Sequence, residues 1–116
     1  MTVGNPAATT AAAQFAAVDL RVGRVVSAET FPAARKPSLK VTVDFGPIGV
    51  LRTSAQITNY SAAELLGGLV VGAVNVGERN IAGFRSQFLL LGAMGSDGTV
   101  RLLRPDGGAA PGEPIG

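Results

Sequence analysis

Polar side chains on two predicted strands have the hydrogen-bond donors that an RNA interface needs. Segments 39–45 and 50–57 alternate apolar and polar residues, so the polar members of each segment share one face of a strand. These polar residues are Lys40, Thr42 and Asp44 in the first segment and Arg52, Ser54 and Gln56 in the second, and all but Asp44 carry hydrogen-bond donors. Such groups contact phosphates and base edges in RNA complexes. The same alternation is also typical of an ordinary hydrated strand face.

A second group of donors lies where a predicted loop enters an apolar strand. Arg85, Ser86 and Gln87 directly precede the apolar run 88–91. Backbone and side-chain donors converge at such a boundary without long flexible side chains. Two aromatic residues, Phe31 and Phe84, fall in predicted loops. Phe84 has two interpretations. In the first it is a buried core residue or a subunit contact, and in the second it is part of an apolar pocket for a peptide side chain.

The composition argues against enzymatic chemistry. The 116 residues include no cysteine and no histidine, which removes thiol nucleophiles, imidazole bases and the usual zinc ligands. The eight carboxylates are spread singly, and no glycine-rich stretch continues into the Gly-Lys-Ser/Thr of a phosphate loop. We therefore expect no catalytic residue, no metal site and no cofactor.

Length and charge predict one small domain. A chain of 116 residues builds a single core. The pI of 9.7 overstates the basic character, because the net charge is +2 and few groups titrate near neutral pH. The sequence has no apolar run of membrane-spanning length and no signal-peptide pattern at its start. We expect a cytoplasmic protein without membrane insertion.

Hydrophobic patterning predicts an all-β fold, a five-stranded barrel with one short helix. Segments 69–76 and 88–91 are nearly continuous apolar strands, and Asp97-Gly98 predicts a hairpin between the last two strands. Ser61 and Glu64 have the spacing of a helix capping box. Gly23 interrupts the first strand, where it would let the strand bend.

The N-terminal residues differ in composition from the rest. Residues 1–14 are rich in Ala and Thr and predict a flexible tail, although Thr9 to Ala17 would extend a helical turn when docked. The domain then covers residues 15–116. Near the other end, Glu113 to Ile115 would add a short edge strand or a partner contact.

Several segments resemble one known family. The sequence NVGERNIAGFRSQFLLLG at 75–92 resembles the signature loop and strand of the tRNA-binding oligonucleotide-binding (OB) domain family, and within it the free-standing CsaA-type export-related chaperones. The likeness recurs at 18–26, 31–45, 54–57 and 102–106.

The resemblance implies an OB-fold barrel that forms a homodimer and binds macromolecules. It implies tRNA contact by Ser86 and by Arg79, the basic residue before the Ile81-x-Gly83 step. The RNA-binding hypothesis thus names Arg52, Ser54, Gln56, Arg79, Arg85 and Ser86. The chaperone resemblance implies binding of unfolded or export-bound polypeptides, for which the candidate residues are Asn80, Ile81 and Phe84.

Two alternatives to the chaperone-like function stay open at this point. The chain would be a stand-alone tRNA-binding protein that acts in trans to a tRNA synthetase, or a structural subunit without a ligand. Steeply salt-dependent RNA binding would favour the tRNA-binding protein. A chain that binds neither RNA nor peptide would be the structural subunit.

Overall fold

A computed structural model describes residues 4–116, which form short strands and two short helices. The elements in chain order are α1 (Ala12–Ala16), β1 (Leu20–Thr30), β2 (Leu39–Asp44), a 3-10 turn (Gly46–Ile48), β3 (Val50–Ala55), α2 (Ala62–Leu65), β4 (Leu69–Ala73), β5 (Arg79–Ile81), β6 (Phe84–Ser86), β7 (Leu89–Leu90), β8 (Gly92–Met94) and β9 (Val100–Leu102). None of the helices in this part of the chain has the length and apolar character needed to cross a membrane.

Five antiparallel strands form a nearly closed barrel, as predicted. Their order in the sheet is β3-β2-β1-β4-β7. The segment before β7 then returns to β3: the Gln87 backbone N–H donates to the Arg52 carbonyl over 2.7 Å, and the Gln87 side-chain oxygen accepts from the Arg52 N–H over 3.0 Å. The Thr53 hydroxyl donates to the carbonyl of Phe88 over 2.7 Å. These bonds join the two edges of the sheet.

Alternation along β2 fills the barrel. Val41, Val43 and Phe45 are fully buried, while the alternating Lys40, Thr42 and Asp44 are partly exposed. Phe45 packs edge to face against Phe88, with ring centroids 4.9 Å apart. Each buried side chain of this size contributes about 1.5–3 kcal/mol relative to exposure. The inward face therefore stabilises the barrel and leaves the outward face free for binding.

Gly23 allows close packing inside the barrel. A Cβ atom at this position would lie 2.3 Å from Cγ1 of Val43 and 2.8 Å from the Phe45 ring. The pairing of β1 with β2 is irregular further along the strand, between Val25 and Ser27. The glycine thus provides room for two core side chains, and the register shift lies elsewhere.

The capping box predicted for the helix after β3 is present. The Ser61 hydroxyl accepts from the Glu64 N–H over 3.2 Å, and the Glu64 carboxylate accepts from the Ser61 N–H over 2.8 Å. The second bond in particular holds the pKa of Glu64 below its ordinary value.

Besides the predicted helix α2, the structure has a second short helix, α1, inside the segment Thr9 to Ala17 for which the sequence suggested a helical turn. Helix α1 crosses the expected boundary between residues 14 and 15. Alanine has the highest helix propensity, and the Asn75 amide donates to the Ala17 carbonyl over 2.8 Å, which fixes the end of this helix.

The chain after the barrel contributes a hairpin and an edge. β8 pairs with β9 around Asp97-Gly98 as predicted, although both strands are shorter than the runs 88–93 and 99–103 suggested. The expected edge near Glu113 to Ile115 is a single bridge between Arg21 and Pro114, flanked by backbone hydrogen bonds.

Candidate nucleic-acid interface

The register of β2 and β3 places the predicted donors on one face of the barrel. Lys40 lies opposite Ser54, and Thr42 lies opposite Arg52. Directly opposed residues of an antiparallel pair point to the same side of the sheet. The sequence prediction of a common polar face on these two strands is therefore confirmed.

A cleft of about 890 Å³ lies beside this face. One wall is the loop 31–38 after β1, the floor is β3, and the other wall is the hairpin of β5 and β6. Its lining residues are Ala34, Arg35, Lys36, Ser38, Ser54, Gln56, Arg79, Asn80, Ile81 and Ala82. Among the residues that the structure describes, this lining includes three cations and no carboxylate. The cleft is therefore suited to an anionic chain.

A tight turn shapes the hairpin wall. Arg79 pairs with Ser86 and Ile81 with Phe84, which leaves Ala82 and Gly83 as a two-residue loop with φ of 49° and 81°. Positive φ at both residues is the type I′ arrangement. The Asn80 side-chain oxygen accepts from the Gly83 N–H over 3.0 Å, so its NH₂ group remains available.

Phe84 lies in a strand and is buried, whereas the sequence suggested a loop. Its side chain is 7% exposed and packs edge to face with Phe31, at a centroid distance of 5.4 Å. Lys40 Nζ lies 4.6 Å from the Phe31 ring centre and 5.1 Å from that of Phe84, and Arg52 Cζ lies 4.9 Å from the Phe84 ring centre. Cations at these distances are attracted by the ring quadrupole.

Ser86 is hydrogen-bonded inside the protein. Its hydroxyl lies 3.0 Å from the Thr53 hydroxyl and accepts from the Ser54 N–H over 3.2 Å. Because the Thr53 hydrogen goes to the Phe88 carbonyl, Ser86 must donate to Thr53. Ser86 thus joins β6 to β3 and fixes the backbone at Ser54, while one side of it borders a recess of about 220 Å³.

Arg85 is not part of the cleft lining. It pairs with Glu78 over 3.3 Å, and both side chains are well exposed. An exposed ion pair contributes little stability, so a phosphate could replace the carboxylate at small cost.

Loop 31–38 brings three lining residues that the sequence analysis did not assign to the site. Arg35, Lys36 and Ser38 face Arg79 across the cleft. One feature of the sequence could have indicated them. Arg35-Lys36 is the only adjacent pair of basic residues in the chain, and it lies inside a segment that carries the family resemblance.

Comparison with known proteins shows the family to which the chain belongs. The family model described as "Putative tRNA binding domain" matches residues 20–114. The chain is 42% identical over 99 residues to methionine–tRNA ligase 1 of Sorangium cellulosum and 36% identical over 101 residues to the methionine–tRNA ligase of Thermotoga maritima. The aligned parts are 84% and 87% of this chain, but 14% and 16% of those ligases.

Solved structures of similar length also match. The CsaA chaperone of Picrophilus torridus has a TM-score of 0.88 at 41% identity, with 93% of this chain and 100% of that chain covered. The CsaA chaperone of Bacillus anthracis has a TM-score of 0.89 at 38% identity, with 94% and 100% covered. The chain therefore belongs to the tRNA-binding domain family, in the OB-type barrel form that the CsaA proteins share.

Proposed function

We propose that the chain binds tRNA through the cleft between loop 31–38 and the β5–β6 hairpin. The observation that carries the proposal is the convergence of five cations on one side of the barrel. These are Arg35, Lys36 and Arg79 in the cleft lining and Lys40 and Arg52 beside it. Cations grouped in this way bind the phosphate backbone. Membership of the tRNA-binding family supports tRNA as the ligand.

The predicted residues take different roles in this proposal. Arg52 and Arg79 contact phosphates, and Arg85 joins them when it leaves Glu78. Ser54 and Gln56, on the floor of the cleft, contact ribose hydroxyls or base edges. Ser86 acts by holding Ser54 in place, because its own hydrogen is used by Thr53.

The salt dependence of tRNA affinity tests this function. Each phosphate contact contributes roughly 0.7 to 0.9 to the slope of log affinity against log salt. Arg79→Ala should reduce the slope by about one such contact. Arg101→Ala is the matched control, since Arg101 is exposed on β9 and does not line the cleft. An equal slope for Arg79→Ala and the unmodified chain would contradict this site.

A second candidate function is CsaA-like binding of unfolded or export-bound polypeptides. The match over the whole length of two CsaA chaperones favours it. Asn80 and Ile81 line the cleft at the hairpin tip, and Phe84 lies opposite Ile81 in the hairpin and fixes its position. Peptide binding through Ile81 should be nearly insensitive to salt, because burial of apolar surface releases no counterions. Ile81→Ser should weaken it, and unchanged peptide affinity would exclude this role.

We further propose a cytoplasmic homodimer. Exposed apolar residues support the dimer, because Leu89 and Val76 are 51% and 44% exposed and both border the recess beside the cleft. An apolar group of this kind is a feature of contact surfaces. Sedimentation should show a dimer at micromolar concentration, and a monomer well above that range would contradict it.

A further inference from the structure

A second concave surface lies on the other side of loop 31–38. It is an apolar groove of about 600 Å³ between this loop and the start of α2. Its walls include Phe31, Pro32, Pro37, Leu39, Tyr60 and Ala62. Neither the RNA-binding residues of β3 nor those of the hairpin line it. The groove is therefore a feature that the tRNA site just proposed does not use.

The groove is continuous with the basic cleft. Ala34, Arg35 and Ser38 line both surfaces, so the loop forms a shared wall between them. Arg35 is the one cation common to the two linings among the described residues. Consider an RNA strand whose phosphates lie along the cleft and contact Arg35. Its next nucleotide would lie at the mouth of the groove.

Among residues 4–116, the lining of the cleft includes no aromatic ring and no proline on which a base can stack. Phe31 and Phe84 pack against each other, and Lys40 and Arg52 lie over these rings. Single-stranded RNA gains affinity by placing bases on apolar and aromatic walls. The lining of the groove offers such walls in Tyr60, Pro32 and Pro37.

We infer that the groove takes one unpaired base of the RNA whose phosphates lie in the cleft; this rests on the function proposed above. A base has apolar faces and polar edges, and the groove matches both. Its lining includes Pro32, Pro37 and Tyr60, and also Thr30 and Thr58. Both threonines are exposed, so their hydroxyls can reach the polar edge of a base. An aliphatic peptide side chain would match the walls but would use neither Arg35 nor the hydroxyls.

A pair of substitutions on α2 tests the inference. Ala62 lines the groove, whereas its neighbour Ala63 is exposed and does not. Ala62→Leu narrows the groove at α2 without changing a cation, and Ala63→Leu is the matched control for the same change. The probe is an oligouridylate of about ten nucleotides, a length that one OB fold can cover. Ala62→Leu should weaken its binding by about 5- to 150-fold, the equivalent of one lost stacking contact, with an unchanged salt slope. Ala63→Leu should bind normally.

A second oligomer with the same backbone but no bases isolates the contribution of the base. The unmodified chain should bind it more weakly than oligouridylate, and Ala62→Leu should reduce the difference between the two affinities. If Ala62→Leu binds oligouridylate as well as the unmodified chain does, the groove holds no base, although the cleft still binds RNA. If that variant instead loses an apolar peptide, the groove is a peptide site and the inference is wrong. Absence of salt-dependent RNA binding by the unmodified chain would overturn both proposals.

Discussion

Phe31 and Phe84 pack edge to face with ring centroids 5.4 Å apart, and this contact joins the two walls of the cleft. Phe31 begins the loop after β1, and Phe84 begins β6 in the opposite hairpin. Lys40 lies over both rings. The aromatic pair therefore sets the spacing of the walls and also orients a cation between them.

The first prediction concerns the two roles of Phe84. Phe84→Ala should lower the free energy of unfolding by about 3–5 kcal/mol, because the ring is buried. Phe84→Leu retains much of the packing but removes the ring beneath Lys40 and Arg52, so it should weaken tRNA binding by about 0.5–2 kcal/mol. Phe84→Tyr should preserve the affinity. Urea unfolding and tRNA titration measure the two effects. Normal affinity for a folded Phe84→Leu would show that the ring does not orient the cations.

The second prediction concerns the turn of the same hairpin. Ala82 has φ of 49°, a conformation that asparagine and glycine adopt more readily than alanine. Ala82→Asn should therefore raise the free energy of unfolding by about 0.5–1 kcal/mol. Gly83→Ala is the reciprocal control: nothing lies within 4 Å of an added Cβ, so the expected loss comes from φ of 81° alone. Equal stability of the two variants would contradict the type I′ assignment.

The polar face of the site could be predicted from the sequence, but the two walls could not. Alternation along β2 and β3 fixed which side Lys40, Arg52 and Ser54 occupy, since the period of a strand is two residues. Nothing local shows that loop 31–38 faces the hairpin, because that approach depends on the contact between Phe31 and Phe84. Arg35 and Lys36 were visible as a basic pair but could not be placed.

The hydrogen-bond partners of the Ser86 hydroxyl were a second property that the sequence could not reveal. Ser86 follows Arg85 at the predicted boundary, yet the partners of its hydroxyl come from β3, more than thirty residues earlier. The family resemblance identified Ser86 as important. Its hydrogen bonds give it a structural role, the linkage of β6 to β3, and tRNA contact by Ser86 stays a prediction.

The third prediction concerns the barrel interior. Gly23→Ala should lower the free energy of unfolding by about 1–3 kcal/mol, because the new methyl group would overlap Val43 and Phe45. Gly107→Ala is the matched control, since nothing lies within 4 Å of its Cβ position and its φ is not positive. Thermal unfolding of both variants measures the difference. A Gly23→Ala protein as stable as the control would mean that the core has room that the structure does not show.

The fourth prediction concerns acid stability. The pKa of Glu64 is lowered in the folded chain, first by the backbone N–H of Ser61 and also by the Ser61 hydroxyl. A carboxylate with a lowered folded pKa contributes stability that is complete above its unfolded pKa and is lost as pH falls through the folded value. Glu64→Gln should therefore show a smaller loss of stability in acid and no change in pH dependence near neutrality, where the chain has no histidine to titrate. Parallel acid profiles for the two proteins would exclude this role of Glu64.

The last prediction separates self-association from folding at two neighbouring leucines. Leu89 is 51% exposed beside Val76, whereas Leu90 is partly buried against the core. Leu89→Asp should dissociate the proposed dimer while the melting temperature of the monomer stays high, because the new charge remains in water once the subunits part. Leu90→Asp should instead unfold the chain, since a charge without a partner in the barrel costs several kcal/mol. Met94→Asp, at an exposed position that does not border the recess lined by Leu89 and Val76, should change neither property. Sedimentation and thermal unfolding measure the two properties separately, and a dimeric Leu89→Asp protein would place the contact surface elsewhere on the barrel.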